Sequence, residues 1–255
     1  MRFVSLFSGI GGFELGLSRY GHDLALTCEI DPAAQSVLRA RWPGAKLTPD
    51  IRSVTRLPKG VDLLTAGFPC QDLSSSGQKS GITGARSGLV GEVFRLLSRS
   101  RPEWVVIENV HFMLHLAKGA GIRTIVDALE AAGYSWAYRV LDTQGFGLPQ
   151  RRRRVFVVAS LSGDPRDVLL SDSGPSPAAI VKSDAPIGFY WTEGTFATGL
   201  AANAVPPLKG GSTIGIPSPP AILMPDGFVG TPSIEDAEAL QGFSSGANLT
   251  LGALA

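Results

Sequence analysis

The pattern of apolar and polar positions changes near residue 160 of the chain. Before that point, short apolar runs rich in β-branched residues alternate with segments in which apolar residues recur every three or four positions. The runs predict strands at residues 2–7, 24–29, 62–66, 104–107, 137–141 and 154–159. The periodic segments predict helices near residues 13–20, 32–41, 88–99 and 119–132. Such alternation is typical of a mostly parallel sheet covered by helices, so the predicted fold class is α/β.

The second part of the chain has a different composition. Residues 161–230 are rich in Pro, Gly and Ser and show few helical periods, which indicates a loop-rich region after the main sheet. A helical pattern returns at Ser233, where Asp236 completes the sequence pattern of a capping box. The predicted parts are a main domain at 1–160, a loop-rich region at 161–230 and a segment at 231–255 that returns to the main domain.

Composition and charge narrow the possible functions only slightly. The chain has 255 residues, of which 44% are hydrophobic and 18% charged, and a formal net charge of +1. Any affinity for nucleic acid must therefore come from a local patch such as residues 151–154, four consecutive arginines. The two cysteines, Cys28 and Cys70, suit a reducing compartment. Neither a secretory leader nor an apolar run of about 18 residues is recognisable, so we expect a cytoplasmic protein without a membrane partner.

A glycine-rich loop, Phe-Ser-Gly-Ile-Gly-Gly at residues 7–12, follows the first predicted strand. Glycines between a strand and a helix let the backbone approach a ligand at the positive end of the helix dipole. About 20 residues further on, Glu29 ends the next strand, where a carboxylate can accept hydrogen bonds from ribose hydroxyls. Asp50 could accept one from the exocyclic amine of adenine. These residues predict an adenosine-containing ligand, with a simple tight turn as the alternative, and they do not separate a dinucleotide from S-adenosylmethionine.

Cys70 lies in a turn at the carboxyl end of the predicted strand 62–66, between Pro69 and Gln71. Ligands of open α/β sheets bind at that end of the strands, so this thiol is a candidate nucleophile. The alternative is an inert buried thiol, which is how we interpret Cys28.

Two more polar elements stand next to predicted strands. Glu108 directly follows a β-branched run, where it either faces a ligand or caps a helix. The arginines at 151–154 lead into the last predicted strand, and alternation would place Arg152 and Arg154 on one face. A basic run is most often a solvated face, but this one enters an apolar strand. We therefore expect at least one arginine to be paired inward.

In their order and spacing, these motifs resemble the signatures of the DNA (cytosine-5) methyltransferases. The resemblance covers residues 2–160 and resumes at Thr231 to Phe243. The matching motifs are Phe7–Gly12, Glu29, Asp50–Ile51, Pro69–Gln71, Glu108–Val110 and Gln150–Arg154. The resemblance implies a Rossmann-like, S-adenosylmethionine-dependent methyltransferase fold, with a target recognition region at 161–230.

The resemblance also implies the chemistry of the site. The Cys70 thiolate would add to carbon 6 of a cytosine flipped out of the duplex, so that carbon 5 accepts the methyl group. Glu108 would bind the exocyclic amine and ring nitrogen 3, and Arg154 with Arg152 would hold the base oxygen and nearby backbone. The loop at 74–86 would close over the base. The cofactor would be S-adenosyl-L-methionine, with no metal. Its implied binding residues are Phe7, Gly9, Ile10, Gly12, Glu29, Ile30, Asp50, Ile51 and Pro69.

One departure from the family pattern leaves alternatives open. Family members close with a Gly-Asn-Ala-Val-like segment that completes the cofactor pocket, and no such segment is recognisable after Phe243. The similar Ala202–Val205 precedes Leu240, out of order, and we interpret it as a loop leading to Pro206 rather than as the equivalent segment. We expect an active, bacterial or phage-encoded enzyme of a restriction-modification system. It would act on double-stranded DNA at the nucleoid as a monomer. The alternatives are a truncated or split non-catalytic DNA-binding remnant that needs a C-terminal partner fragment and, third, an RNA cytosine methyltransferase.

Overall fold

The computed structural model describes residues 1–69, 88–171, 184–190, 199–208 and 219–244. Cys70 and the segment 74–86, predicted to close over a base, lie outside these ranges. No helix among the described residues is long and apolar enough to cross a membrane.

The chain divides into two compact units. The first contains Met1–Val140 and Arg154–Asp172, and the second contains Leu141–Arg153 and Ser173–Gly252. Residues 141–153 and 231–244 therefore group with the second unit, whereas the predicted boundaries lie at residues 160 and 230. The functional assignment of these segments stays a prediction.

A seven-stranded sheet underlies the first unit. Its strands are β1 (Arg2–Leu6), β2 (Asp23–Cys28), β3 (Lys46–Thr48), β4 (Leu63–Ala66), β5 (Trp104–Val110), β6 (Ser135–Asp142) and β7 (Arg153–Ser160). Their order is β3-β2-β1-β4-β5-β7-β6. The first five strands in that order pair in parallel, and β7 runs antiparallel to β5. The predicted α/β class with a mostly parallel sheet is confirmed, and the short strand β3 is an addition.

Five of the six α-helices among the described residues follow the predicted periodicity, and the short helix at Pro165–Leu169 was not predicted. The six are α1 (Gly12–Arg19), α2 (Pro32–Arg41), α3 (Leu89–Ser100), α4 (Ala120–Ala131), α5 (Pro165–Leu169) and α6 (Ile234–Leu240). The start of α2 shows the local cause: the Asp31 carboxylate accepts a hydrogen bond from the Ala34 amide at 2.9 Å, and Pro32 occupies the first turn. Helix α3 buries Val90, Val93 and Leu97, a spacing that puts all three on one face against the core.

The second unit contains a four-stranded antiparallel sheet that the sequence did not predict. Its strands are β8 (Ile187–Tyr190), β9 (Ala201–Ala202), β10 (Pro220–Leu223) and β11 (Val229–Gly230), in the order β11-β10-β8-β9. Helix α6 begins with the predicted capping box, in which the Ser233 hydroxyl accepts from the Asp236 amide and the Asp236 carboxylate accepts from the Ser233 amide.

The segment Ala202–Val205, which resembles the family's closing signature, also lies in the second unit. The Val205 amide donates to the Pro149 carbonyl, and the Arg151 amide donates to the Val205 carbonyl, each at 2.8 Å. The segment is thus bonded to the chain that leads into the arginine run. Its equivalence to the closing signature stays a prediction.

Candidate active site

The glycine-rich loop forms a tight left-handed turn between β1 and α1. Phe7, Gly9 and Gly11 have φ angles of 59°, 54° and 94°. At Gly11 the turn also approaches a neighbouring side chain, because a Cβ atom there would lie 2.4 Å from the Trp42 ring. Only glycine combines that backbone conformation with so little space. The contact with the Trp42 ring therefore fixes the position of Gly11, directly before α1.

Glu29, at the end of β2, holds the same turn from the other side. Its Oε2 accepts a hydrogen bond from the Gly9 amide at 2.7 Å, and its Oε1 accepts one from the Asp31 amide at 2.8 Å. A carboxylate offers about four acceptor positions, so each oxygen keeps capacity for a ribose hydroxyl. The next residue, Ile30, is 72% exposed, which leaves its side chain available to an adenine ring.

Asp50 and Ile51 are placed less directly for a ligand. The Asp50 carboxylate accepts from the Arg52 backbone amide at 2.9 Å and from the Arg52 guanidinium at 2.7 Å. The hydrogen bonds from the Arg52 side chain are the largest cause that lowers the pKa of Asp50. Ile51 is packed into the hydrophobic core, which leaves little of its side chain for an adenine ring. Their part in a cofactor site stays a prediction.

The segment after β4 leads directly to Cys70, and β5 holds it. The Asn109 side-chain amide donates to the Phe68 carbonyl at 3.0 Å, and Asn109 is buried. The Phe68 ring meets Phe7 edge-on at a centroid distance of 6.3 Å. Pro69 is exposed. The approach to the candidate nucleophile is therefore tied to β5 by a buried hydrogen bond and to the glycine-rich turn by an aromatic contact.

Glu108 pairs with Arg154 beside this segment. The Arg154 Nε lies 3.0 Å from the Glu108 carboxylate, and the two side chains are 18% and 21% exposed. The pairing follows from the register of β5 and β7, in which Arg154 lies opposite Val110 and so on the same face as Glu108. Glu108 Oε2 also lies 3.4 Å from the position that a Cβ would take at Gly67. The inward-paired arginine expected from the sequence is thus found.

Arg152 lies in the second unit, before β7 begins. Its amide donates to the Thr143 hydroxyl at 3.3 Å, and its carbonyl accepts from the Thr143 amide at 3.1 Å. Because Arg152 precedes the strand, strand alternation does not fix its side chain relative to Arg154. The neighbouring Arg153 pairs with Asp142 at 3.3 Å. Of the predicted pair, the described geometry places Arg154 at the site.

Residues 1–185 match the family model of the C-5 cytosine-specific DNA methylases. The chain belongs to this family. It is 49% identical to the type II methyltransferase M2.BsuMI of Bacillus subtilis over 253 residues, which are 95% of this chain and 65% of that protein. It is 34% identical to the type II methyltransferase M.BanI of Aneurinibacillus aneurinilyticus over 192 residues, 72% of this chain and 44% of that protein. The chain thus spans less than two thirds of either relative.

A solved structure extends the comparison to the fold of this family member. The crystal structure of a candidate DNA modification methyltransferase encoded within an Escherichia coli prophage superposes with a TM-score of 0.53. The match has 22% sequence identity and covers 66% of this chain and 49% of that one. With the observed strand order, it shows a Rossmann-like methyltransferase fold.

Cys28 can be set aside as a nucleophile in this family member. It is buried at the end of β2, as predicted. Burial, with smaller contributions from the charges of Glu29 and Asp50, raises the pKa of its thiol to about 12. The thiol therefore stays protonated at neutral pH and unreactive.

Two residues near the site have contacts that the sequence did not reveal. Asn109 belongs to the Glu108–Val110 motif, but its bond to the Phe68 carbonyl depends on β4 and β5 being neighbours. Glu14, in the first turn of α1, was not singled out and is fully buried beneath the glycine-rich turn. A carboxylate two residues after a glycine-rich loop reads as an ordinary polar helix position, so no sequence signal distinguishes it.

Proposed function

We propose that this protein transfers a methyl group from S-adenosyl-L-methionine to carbon 5 of cytosine in double-stranded DNA. The observation that carries the proposal is the Glu108–Arg154 pair, which lies beside the segment that ends at Cys70. A carboxylate and a guanidinium with complementary hydrogen-bonding groups are thereby held beside Gly67, three residues before the candidate nucleophile. Membership of the C-5 cytosine-specific DNA methylase family supports the same reaction.

The glycine-rich turn and Glu29 fit the methyl donor. The turn leaves the Gly9 side open, because a Cβ there would have nothing within 4 Å among the described residues. The Glu29 carboxylate borders the turn through its bond to the Gly9 amide and would accept the ribose hydroxyls. Bound there, S-adenosyl-L-methionine would supply an electrophilic methyl group.

The residues of the chain activate the base. The Cys70 thiolate forms a bond to carbon 6, and the electron pair of the 5,6 double bond is pushed onto the ring. Arg154 donates to the base oxygen, where negative charge accumulates. Glu108 accepts from the exocyclic amine and shares with nitrogen 3 a proton taken up from solvent. Once carbon 5 carries the methyl group, its proton leaves to water, the electron pair of that C–H bond re-forms the 5,6 double bond, and the bond between sulfur and carbon 6 breaks to return the thiolate. Because Glu108 and Arg154 form an ion pair, neither charge is uncompensated before a cytosine enters the site.

The cytosine must leave the duplex to reach this site. Flipping a base costs a few kcal/mol, which contacts to the flipped base and to the vacated helix must offset. We assign the segment 74–86 and the region 161–230 to these contacts by resemblance to the family. Because its substrate would be cellular or phage DNA, we expect the protein in the cytoplasm.

Covalent trapping tests the proposal. In a random-sequence duplex whose cytosines are replaced by 5-fluorocytosine, methylation cannot be followed by loss of a proton from carbon 5, so an active enzyme stays attached through its thiol. We expect a denaturation-resistant complex that requires S-adenosyl-L-methionine. Cys70→Ser should abolish it, and Cys28→Ser, the matched control at the other cysteine, should form it normally. Equal trapping by Cys70→Ser would contradict the assigned nucleophile.

Two binding experiments separate the alternatives. Calorimetry of S-adenosyl-L-methionine with the full chain distinguishes an enzyme from a non-catalytic remnant. A Kd of about 1 mM corresponds to a binding free energy of about −4 kcal/mol. Absence of binding at that ligand concentration would exclude an active enzyme made by this chain alone. Replacing the duplex by tRNA in the methyl-transfer assay tests the RNA alternative, and we expect transfer to the duplex.

A further inference from the structure

A cluster of buried polar side chains lies beneath the glycine-rich turn. It comprises Glu14 on α1, Ser5 on β1, Ser8 in the turn and Thr27 on β2. Glu14 and Ser5 are fully buried, Thr27 is 1% exposed and Ser8 is 8% exposed. Interior positions of this kind, between a helix and a sheet, are normally apolar. A polar set at this place therefore requires a reason.

Three contacts of 2.5 to 3.2 Å connect the cluster into a continuous series of polar groups, the relay. Glu14 Oε1 lies 3.1 Å from the Thr27 hydroxyl oxygen. The Thr27 and Ser8 hydroxyl oxygens are 2.5 Å apart. The Ser8 hydroxyl lies 3.2 Å from the Ser5 carbonyl, to which it can donate. The relay of polar groups therefore runs from Glu14 on α1, through Thr27 on β2, to Ser8 at the centre of the left-handed turn.

The number of available protons decides which group donates and which accepts in each contact of the relay. Each hydroxyl has one proton to donate. If the Glu14 carboxyl were ionised, Thr27 would donate to it and Ser8 would have to donate to Thr27. No proton would then remain for the contact between Ser8 and the Ser5 carbonyl. If Glu14 is neutral, it donates to Thr27, Thr27 donates to Ser8, and Ser8 donates to the Ser5 carbonyl, so all three contacts are hydrogen bonds.

The surroundings of Glu14 favour the neutral form. Its Oε2 is buried and has no hydrogen-bond partner among the described residues, a costly arrangement for a charged oxygen. Burial is the largest effect and raises the pKa of the Glu14 carboxyl. Hydrogen bonds from the hydroxyls of Ser8, Ser5 and Thr27 and from its own backbone amide lower the pKa of Glu14, but no basic side chain is among the described groups that influence it.

The far end of the relay is the predicted cofactor turn. Ser8 lies between Phe7 and Gly9, which both have left-handed backbone conformations. That conformation is unfavourable for a bulky residue such as phenylalanine, so other contacts must hold it. Gly9 in turn donates to Glu29. A hydrogen bond that fixes Ser8 therefore also fixes the residues on either side of it.

We propose that Glu14 is a positioning residue of the methyl-donor site: as a neutral carboxylic acid it begins a hydrogen-bond relay through Thr27 and Ser8 that holds the Phe7–Gly9 turn in its binding conformation. The relay rests on the proposed function only in its assumption that this turn binds S-adenosyl-L-methionine. Its effect on the turn itself is a property of the ligand-free protein.

The test compares two replacements of similar size with a matched control. Glu14→Gln keeps a donor toward Thr27, and Glu14→Met removes it. The control is Tyr134→Phe, which removes another buried hydrogen bond of the same unit, the 2.6 Å bond from the Tyr134 hydroxyl to the Pro102 carbonyl. Calorimetry should show wild-type affinity for S-adenosyl-L-methionine in Glu14→Gln and in the control. Glu14→Met should bind about tenfold more weakly, the effect of losing about one buried hydrogen bond.

A second measurement does not depend on the ligand. Hydrogen exchange of the Gly9 amide in the ligand-free protein should be faster in Glu14→Met and unchanged in Glu14→Gln and in Tyr134→Phe. The infrared difference spectrum between wild type and Glu14→Gln should contain the carbonyl band of a neutral carboxylic acid. If the wild type failed to bind S-adenosyl-L-methionine while Gly9 exchange behaved as expected, the proposed function would be wrong and the relay would stand.

Two results would overturn the relay. Unchanged Gly9 exchange in Glu14→Met, with a loss of stability like that of Tyr134→Phe, would make Glu14 an ordinary core residue. A Glu14→Gln variant as impaired as Glu14→Met would mean that the site needs a negative charge, contrary to a neutral donor.

Discussion

Gly11→Ala is the substitution whose effect the geometry of the glycine-rich turn defines most fully. The new methyl group would lie 2.4 Å from one carbon of the Trp42 ring and 2.5 Å from another, and 3.3 Å from Leu38. The alanine backbone would also have to keep the φ angle of 94° that Gly11 has. Trp42 directly follows α2, so the ring cannot withdraw without moving the end of that helix.

The expected cost has two parts. A left-handed backbone conformation costs an L residue roughly 1–2 kcal/mol relative to glycine. Forcing a methyl group into a filled space costs roughly 1–3 kcal/mol more. The sum of about 2–5 kcal/mol corresponds to a decrease in Tm of roughly 4 to 20 °C for a chain of this size.

Gly9→Ala is the matched control for this prediction. Gly9 also has a left-handed φ angle, 54°, but its Cβ would meet nothing within 4 Å among the described residues. We expect only the conformational cost of about 1–2 kcal/mol. Since the open side of Gly9 is where the methyl donor would lie, this variant should lose affinity for S-adenosyl-L-methionine more than it loses stability.

Urea unfolding followed by circular dichroism gives the comparison, with the double variant Gly11→Ala, Trp42→Leu as the decisive measurement. The smaller leucine removes the clash, so the double variant should be more stable than the sum of the single effects by about 1–3 kcal/mol. Strict additivity, or equal losses in Gly11→Ala and Gly9→Ala, would refute the argument that Trp42 closes the space at Gly11.

Two further predictions concern residues that the structure revealed. Since burial raises the folded-state pKa of Glu14 above its ordinary value of 4.5, the folded protein holds this proton more tightly than the unfolded chain. Its contribution to stability is complete below pH 4.5 and is lost as the pH rises toward the folded-state pKa, by at most about 1.4 kcal/mol per pH unit. Glu14→Gln should remove this pH dependence from the free energy of unfolding measured in urea. If the plots of that free energy against pH were parallel for wild type and variant, the raised pKa of Glu14 would be contradicted. Asn109→Leu should cost about 1–3 kcal/mol in urea unfolding, because it leaves the Phe68 carbonyl without its donor, and should slow trapping through Cys70. Trapping at the wild-type rate would show that Asn109 serves stability alone.

The main sheet could be predicted because its strands are apolar, often β-branched, runs separated by clearly periodic helices. The run at 154–159 and the strand β7, Arg153–Ser160, differ by one residue at each end. The second sheet could not be predicted, since β8 pairs with β10, a distant partner, across a stretch rich in Pro, Gly and Ser. A local signal exists for the hairpin of β10 and β11, which the Asp226–Gly227 pair joins, but it does not specify the pairing of β8 with β10.

The residue types of the site could be predicted, but their pairing could not. Glu108 and Arg154 each stood out beside an apolar run. Their ion pair exists because β7 enters antiparallel beside β5 with Arg154 opposite Val110, and a shift of one residue would turn the guanidinium to the other face. That register is set by tertiary packing. It has no local sequence signal.

Contacts from three parts of the protein fix the glycine-rich turn, which is the proposed site of the methyl donor. The Trp42 ring closes the space at Gly11, Glu29 holds the Gly9 amide, and Glu14 reaches the turn from beneath through Thr27. These constraints come from the residue after α2, from the end of β2 and from the core. Binding to a turn that is already ordered does not carry the entropic cost of ordering it, so the ligand binds more tightly. Substitutions that loosen the turn should therefore weaken binding of the methyl donor first, and the chemistry at Cys70 only as a consequence.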